Sequence, residues 1–186
     1  AEVSGAGVYL DAKGGTVDHC EIFNCKSYKY GHVGGGIYIA AGSPALVDSV
    51  IISNCTSHCE GPYGGAALFM TSADAKVVVK NTITGSQVAC GAVKIENGLL
   101  KNCTIALNHI TQCSGVWATG GRVVDCIIAE NTHPTALDAK SITWAGTASC
   151  FSNCVGTAKI NDFCFEEAHP FRDAANYDFT PVPSSA

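Results

Sequence analysis

The chain is poor in charge. Of its 186 residues only 15% are charged, with 11 Lys and Arg against 16 Asp and Glu, giving a formal net charge of −5. A nucleic-acid partner demands a basic footprint, so this balance argues against that class. Low charge beside an apolar fraction of 47% also excludes a disordered chain. Long hydrophobic runs are missing: no stretch approaches the roughly 20 apolar residues of a membrane span, and no membrane insertion is expected. There is no Cys-x-x-Cys, so zinc has no support. There is no Gly-x-Ser-x-Gly, no phosphate loop and no defensible Cys/His nucleophile pair, and no cofactor or metal is expected. No leader-like segment precedes the first repeat. The chain opens inside its own pattern at Ala1, which points to a processed or truncated product.

What is present is a repeat. A small residue, an apolar residue, a third that is usually a ring and another apolar residue recur six times. The copies are Gly7-Val8-Tyr9-Leu10, Gly36-Ile37-Tyr38-Ile39, Ala67-Leu68-Phe69-Met70, Ala92-Val93-Lys94-Ile95, Gly115-Val116-Trp117-Ala118 and Ala136-Leu137-Asp138-Ala139. Successive copies start 29, 31, 25, 23 and 21 residues apart. A second block follows each, as in Val17-Asp18-His19-Cys20-Glu21-Ile22, Val47-Asp48-Ser49-Val50-Ile51-Ile52, Val79-Lys80-Asn81-Thr82-Ile83-Thr84, Leu100-Lys101-Asn102-Cys103-Thr104-Ile105 and Val123-Val124-Asp125-Cys126-Ile127-Ile128, with a worn copy at Cys150-Phe151. One short strand at a time at this period is a solenoid signature. The expected fold is all-β: a single-stranded parallel β-helix of about six coils.

Side chains alternate faces along a strand, so the repeat sorts into columns. In the first block Tyr9, Tyr38, Phe69, Lys94 and Trp117, then Asp138, point away from the core. Two readings are open for this column. It is an exposed stripe for a sugar chain or a partner protein, or its rings stack on one another and stiffen the sheet. In the second block the outward positions read Glu21, Ile51, Ile83, Thr104, Ile127 and Phe151. Ile51, Ile83, Ile127 and Phe151 there suggest lateral contact with a loop, a second subunit or the rest of a longer protein.

Eleven cysteines are many for this length. Cys20, Cys103, Cys126 and Cys150 share one repeat position with Val50 and Thr82, which marks them as small buried hydrophobes. The disulfide candidates fall off that ladder: Cys25 with Cys55, Cys59 with Cys90, and Cys154 with Cys164. An odd total leaves at least one thiol free or intermolecular. Asn24, Asn54, Asn108, Asn131 and Asn153 recur after the second block and suit tight corners. Glu96-Asn97-Gly98 and Thr119-Gly120-Gly121 read as glycine turns needing positive φ.

The pattern divides the chain into repeats over 1–154 and a capping segment over 155–186. The latter holds Phe163, Phe165, Phe171 and Phe179, four of the seven phenylalanines, and three of the six prolines. A solenoid end exposes strand edges and core side chains and needs a cover. The amino end has no comparable segment, so either more chain precedes it or another copy of the molecule covers it.

The small-Ile-Tyr-Ile block followed by Val-Asp/Lys-x-Cys-x-Ile and Asn resembles the right-handed parallel β-helix repeats of large secreted and surface proteins of bacteria. That group is related in pattern to polymorphic outer-membrane proteins and more distantly to pectate lyases. The segment Asp173-Ala174-Ala175-Asn176-Tyr177-Asp178-Phe179 is similar to their closing sequence. The resemblance implies an extracellular or cell-surface location and spans lyases, adhesins and proteins of other roles. A lyase-like site would need clustered carboxylates for calcium and an Arg or Lys base. Here Asp18, Asp48, Lys80 and Lys101 follow one another along the stack as an external charge ladder. The six histidines share no repeat position. The expected role is therefore non-catalytic: a structural or adhesive module that self-associates end to end or contacts other surface proteins. A glycan-binding module or a polysaccharide lyase or hydrolase is the alternative.

Overall fold

The structure is a computed structural model, and it describes residues 4–28, 33–57, 65–78, 82–84, 87–88, 92–110, 115–131, 151–152, 154–156, 164–166, 171–173, 176 and 178–181. The sixth copy of the first block, with Asp138, lies outside them, as do Lys80, Cys59, Cys90, Cys150 and Asn153.

The chain winds through four parallel sheets. The first pairs β1 (Val8–Leu10), β5 (Ile37–Ile39), β9 (Leu68–Met70), β13 (Val93–Ile95) and β17 (Val116–Ala118). The second pairs β2 (Gly15–Asp18), β6 (Ala45–Asp48), β10 (Lys76–Val78), β14 (Leu99–Lys101), β18 (Arg122–Val124) and β20 (Phe151–Ser152). The third pairs β3 (Glu21–Phe23), β7 (Ile51–Ser53), β11 (Thr82–Thr84), β15 (Thr104–Ala106), β19 (Ile127–Ala129), β21 (Val155–Gly156) and β22 (Phe165–Glu166). The fourth is narrow, with β4 (Lys26–Ser27), β8 (Thr56–Ser57), β12 (Gln87–Val88) and β16 (His109–Ile110). A separate antiparallel hairpin joins β23 (Phe171–Asp173) to β24 (Asp178–Pro181). Each rung is one pass through the sheets, and the fold is the expected parallel β-helix. Pairing in the third sheet runs on past 154: β21 and β22 add two steps before the hairpin.

Strands this short cannot hold themselves; the rungs hold one another through the core. Ile37, Leu68, Val93 and Val116 form one inward column of the first sheet, and Ile39, Met70, Ile95 and Ala118 the other, all buried. Val47, Val77, Leu100 and Val123 face them from the second sheet, and Ile22, Ile52, Ile105 and Ile128 from the third. Each such side chain contributes about 1.5–3 kcal/mol by leaving water, and parallel register makes every column continuous.

Corners between sheets need left-handed backbone. His19, Ser49, Asn102 and Asp125 take positive φ between the second and third sheets, and Asn24, Asn54, Leu107 and Glu130 between the third and fourth. The asparagines thus play two parts. Asn24 and Asn54 make the corner itself, with Asn54 Nδ2 donating to Asn24 Oδ1. Asn108 and Asn131 come one residue later and are buried, and Asn108 Nδ2 donates to Asn131 Oδ1 at 2.8 Å. The two glycine turns take the expected form, with φ of 100° at Gly98 and 73° at Gly121. A Cβ at Gly98 would sit 2.6 Å from Ser72 O, too close for any other residue.

Register corrects three expectations. The third rung carries three residues, not two, at the corner between β10 and β11. Val77 therefore continues the Val17–Val47 column, and Val78, not Lys80, follows Asp18 and Asp48. The charge ladder is broken there. A one-residue slip also reverses faces. Ile83 takes the register place of the buried Ile52 and Ile105, and Thr82 stands between Ile51 and Thr104. In the last rung Phe151 pairs with Val123 in the second sheet, and Val155 takes the place opposite Ile127. Cys154, just before Val155, is then the true ladder cysteine, and Cys164, just before Phe165, continues it. Neither is off-ladder.

Candidate functional site: the outer column and the open first rung

The outer column of the first sheet is in register as expected: Tyr9, Tyr38, Phe69, Lys94 and Trp117 pair rung to rung. Its surface is not what the sequence suggested. Tyr9 is 54% exposed and Tyr38 is half-buried, whereas Phe69, Lys94 and Trp117 are 7%, 5% and 7% exposed. Among the described residues the stripe is open only at its first rung. The cause is the rung spacing: rings about 4.8 Å apart along the axis must meet one another. Tyr9 stacks flat on Tyr38, with centroids 5.2 Å apart and planes within 10°. Tyr38 meets Phe69 edge to face at 5.4 Å. Lys94 Nζ sits 4.8 Å from the Phe69 ring centre and 5.1 Å from that of Trp117, and Glu96 Oε1 lies 3.0 Å from the ammonium. A charge so enclosed is held by ring faces on two sides and a carboxylate on a third. Val33 packs against Phe69 and Tyr38 from outside. Burial pushes the Tyr38 phenol up, the Tyr9 phenol adds to that push, and a hydrogen bond with Thr71 opposes it. Trp117 Nε1 is buried without a partner among the described residues.

Tyr9, at the head of the column, keeps one ring face off its neighbours. The far face of Tyr9 looks along the axis, beyond the first rung. Around it β1, β2, β3 and β4 each end their sheet, and β1, β2 and β3 each have one edge unpaired among the described residues. The large apolar side chains exposed among the described residues are Tyr9 (54%), Phe23 (57%), Tyr28 (70%) and Ile51 (44%). All four belong to the first two rungs. Of the expected lateral contacts, Ile51 and Ile127 share the outer face of the third sheet; Ile83 and Phe151 do not belong to that column. Farther along that face Ala106 and Ala129 are buried, with Leu107 and Ile127 packed on them.

The cysteines form two stacks. Cys103, Cys126, Cys154 and Cys164 are buried in the corner after the second sheet, and Cys20, exposed, heads the same position. Cys126 has Cys103 and Cys154 as hydrogen-bonding neighbours, and burial drives its thiol well up; the Cys126 neighbour and burial do the same to Cys154. Cys25 and Cys55 head the corner after the third sheet, where Asn108 and Asn131 stand in later rungs. All seven described cysteines are thiols, so the expected Cys25–Cys55 and Cys154–Cys164 pairs are neighbours without a bond, and Cys59–Cys90 lies outside the described residues. The sequence places Cys103 and Cys126 at one position and sets Cys25 beside Cys55, but assigns Cys150 to the last rung of that ladder, where the register puts Cys154 with Cys164 after it.

The carboxylates sit on separate rungs in local contacts. Asp18 Oδ1 is 2.5 Å from His19 Nδ1, Asp48 accepts from Ser49 Oγ at 3.1 Å, and Asp125 lies 3.6 Å from Lys101 Nζ. Among the described residues no three His, Cys, Asp or Glu side chains come together as a metal-ligand set, and no helix is long and apolar enough to cross a membrane.

Comparison with known proteins agrees with this geometry. No characterised protein and no solved structure matches the chain. The family described as "Right handed beta helix region" matches residues 1–133. With parallel rungs stacked in four sheets and a family match over most of its length, the chain belongs to the right-handed β-helix family.

Proposed function

We propose that the chain is a non-catalytic structural or adhesive module, secreted or at a bacterial cell surface, that assembles through its first-rung end. The observation that carries this is that, among the described residues, three unpaired strand edges, an exposed face of Tyr9 and the four exposed large apolar side chains all fall in the first two rungs. An unpaired edge templates another strand, and an apolar patch of this kind marks a contact surface. The partner that matches an in-register strand edge and a flat phenol ring is another β-helix rung, supplied by a second copy of the chain. The surface location rests on the resemblance to polymorphic outer-membrane repeats, and the non-catalytic reading on carboxylates held singly in local pairs.

Sedimentation of the native protein over a range of concentrations tests this. Self-association is expected, and it is lost in a Tyr9→Arg, Ile51→Asp double variant that keeps its β-sheet circular dichroism. A strictly monomeric native protein at high concentration would overturn it. The glycan reading is less well supported, because stacking leaves ring edges, not faces, along the side of the helix. Unsaturated products from a uronate polymer, or glycan binding lost on Tyr38→Ala and Trp117→Ala, would replace the proposal with it.

A further inference from the structure

We infer that Cys25 and Cys55 are a reversible disulfide pair that staples the first rung to the second. They hold the same place in successive rungs. Each directly precedes a strand of the fourth sheet, where Lys26 pairs with Thr56 in parallel register. Thr56 N–H donates to Cys25 C=O at 2.9 Å, which locks the two backbones together at this point. Neighbouring strands lie about 4.8 Å apart, within the Cα separation that a disulfide spans. The side chains share a direction as well. Cys25 Sγ donates to Phe23 O at 3.5 Å and Cys55 Sγ to Ser53 O at 3.3 Å, each two residues back. Cys55 Sγ also reaches Ile22 O of the first rung, at 3.7 Å. Across the coil the repeat makes room for both sulfurs. A Cβ on Gly7 would lie 2.9 Å from Cys25 Sγ, and one on Gly36 3.4 Å from Cys55 Sγ.

The two thiols differ in access, and the difference assigns their roles. Cys25 is partly exposed at the open end; Cys55 is fully buried. Burial, with Cys25 beside it, pushes the Cys55 thiol up to about 12. Cys25 is thus the sulfur that meets an external oxidant, and Cys55 the one that resolves. With a small dialkyl disulfide as oxidant, the Cys25 thiolate attacks one sulfur, expels a small thiolate and becomes a mixed disulfide. Cys55 then gives its proton to the departing thiolate and attacks Cys25 Sγ, releasing the second small thiol. Two electrons pass from the protein pair to the small disulfide, and excess dithiol reverses the exchange. Cys103, Cys126, Cys154 and Cys164 stack in a similar way, but all are buried and lack such an entry.

This pairing rests on the first two rungs and not on assembly, so it stands or falls separately from the sedimentation result. The folded native chain is incubated with oxidised glutathione at mildly alkaline pH, acid-quenched, digested and mapped by tandem mass spectrometry. The expected result is a protein lighter by two hydrogens with Cys25 joined to Cys55, reversed by dithiothreitol. Amide exchange over 20–27 should slow by about tenfold or more on oxidation. Cys20→Ala keeps the bridge and Cys25→Ala loses it. A lasting glutathione adduct on Cys25, a bridge mapped to another pair, or an unchanged mass overturns the inference. The native chain's map decides the matter even if a variant does not fold.

Discussion

The first rung and the fourth are built from the same repeat and live in different solvents. Leu10 and Ile22 begin the inward columns with 9% and 8% of their surface exposed, while Ile95, Leu100 and Ile105, three rungs on, have none. Tyr9 stands half in water, and Lys94, the same position in the fourth rung, is enclosed by two rings and a carboxylate. Cys25 is reachable; Cys126 is not. The difference is one of neighbours rather than of residue type. In a solenoid each rung is stabilised by those on either side, and among the described residues the first rung has one such neighbour and the fourth has two.

The comparison breaks most readily in the core. Leu100→Ala should cost about 2–5 kcal/mol, the usual penalty for an unrefilled core cavity, and Leu10→Ala less, because only one described rung packs against it. Urea titration of the two variants checks this; equal losses would mean that the first rung is covered. Next in size is the buried ammonium. Lys94→Glu places a carboxylate between two ring faces and beside Glu96, and should destabilise by about 3 kcal/mol or more. Lys94→Met, which keeps the stem between the rings, should cost much less. Thermal melts of the pair distinguish them.

Alkaline pH gives a third, intermediate effect. The folded-state Cys55 thiol lies above its ordinary value of 9.0, at about 12. Below pH 9 its contribution to stability is whole. Between about pH 9 and 12 the unfolded chain releases the proton more readily than the folded one, so stability falls by a few kcal/mol. Cys55→Ala should flatten that limb in denaturation curves taken across the window, and an unchanged slope would contradict the burial. The smallest effect on stability is at the open end. Tyr9→Ala removes one stacked pair, about 0.5–1.5 kcal/mol, yet should greatly weaken self-association in the sedimentation assay.

Much of this was legible in the sequence, and the failures are instructive. The first block has a fixed length, so alternation assigned Tyr9 through Trp117 correctly to one outward column. The second block failed at Lys80 and Ile83, because the third rung has one extra corner residue, and an alignment carried across that corner by count puts Ile83 on the wrong face. Nothing in Val79-Lys80-Asn81 marks it, since Val77 and Val79 are equally good core residues. Cys154 and Cys164 escaped the ladder for a separate reason, a shifted alignment in the last rungs that puts Cys150 in their place. Burial of Phe69, Lys94 and Trp117 was missed differently. Alternation says which way a side chain points from its own strand, and is silent about what then packs over it, as Val33 does over Phe69.

That extra corner residue has a wider consequence. The first, third and fourth sheets keep their register across the third rung despite the longer corner, so rungs are indexed by their strands and the corners between them are slack. A gene encoding such a chain can gain or lose residues at any corner without a frame of packing to repair. Length variation is then nearly neutral where the backbone turns and severely selected where it pairs. Such a molecule can diversify its outline while its interior stays the same, and shared strand columns rather than shared length will identify its relatives.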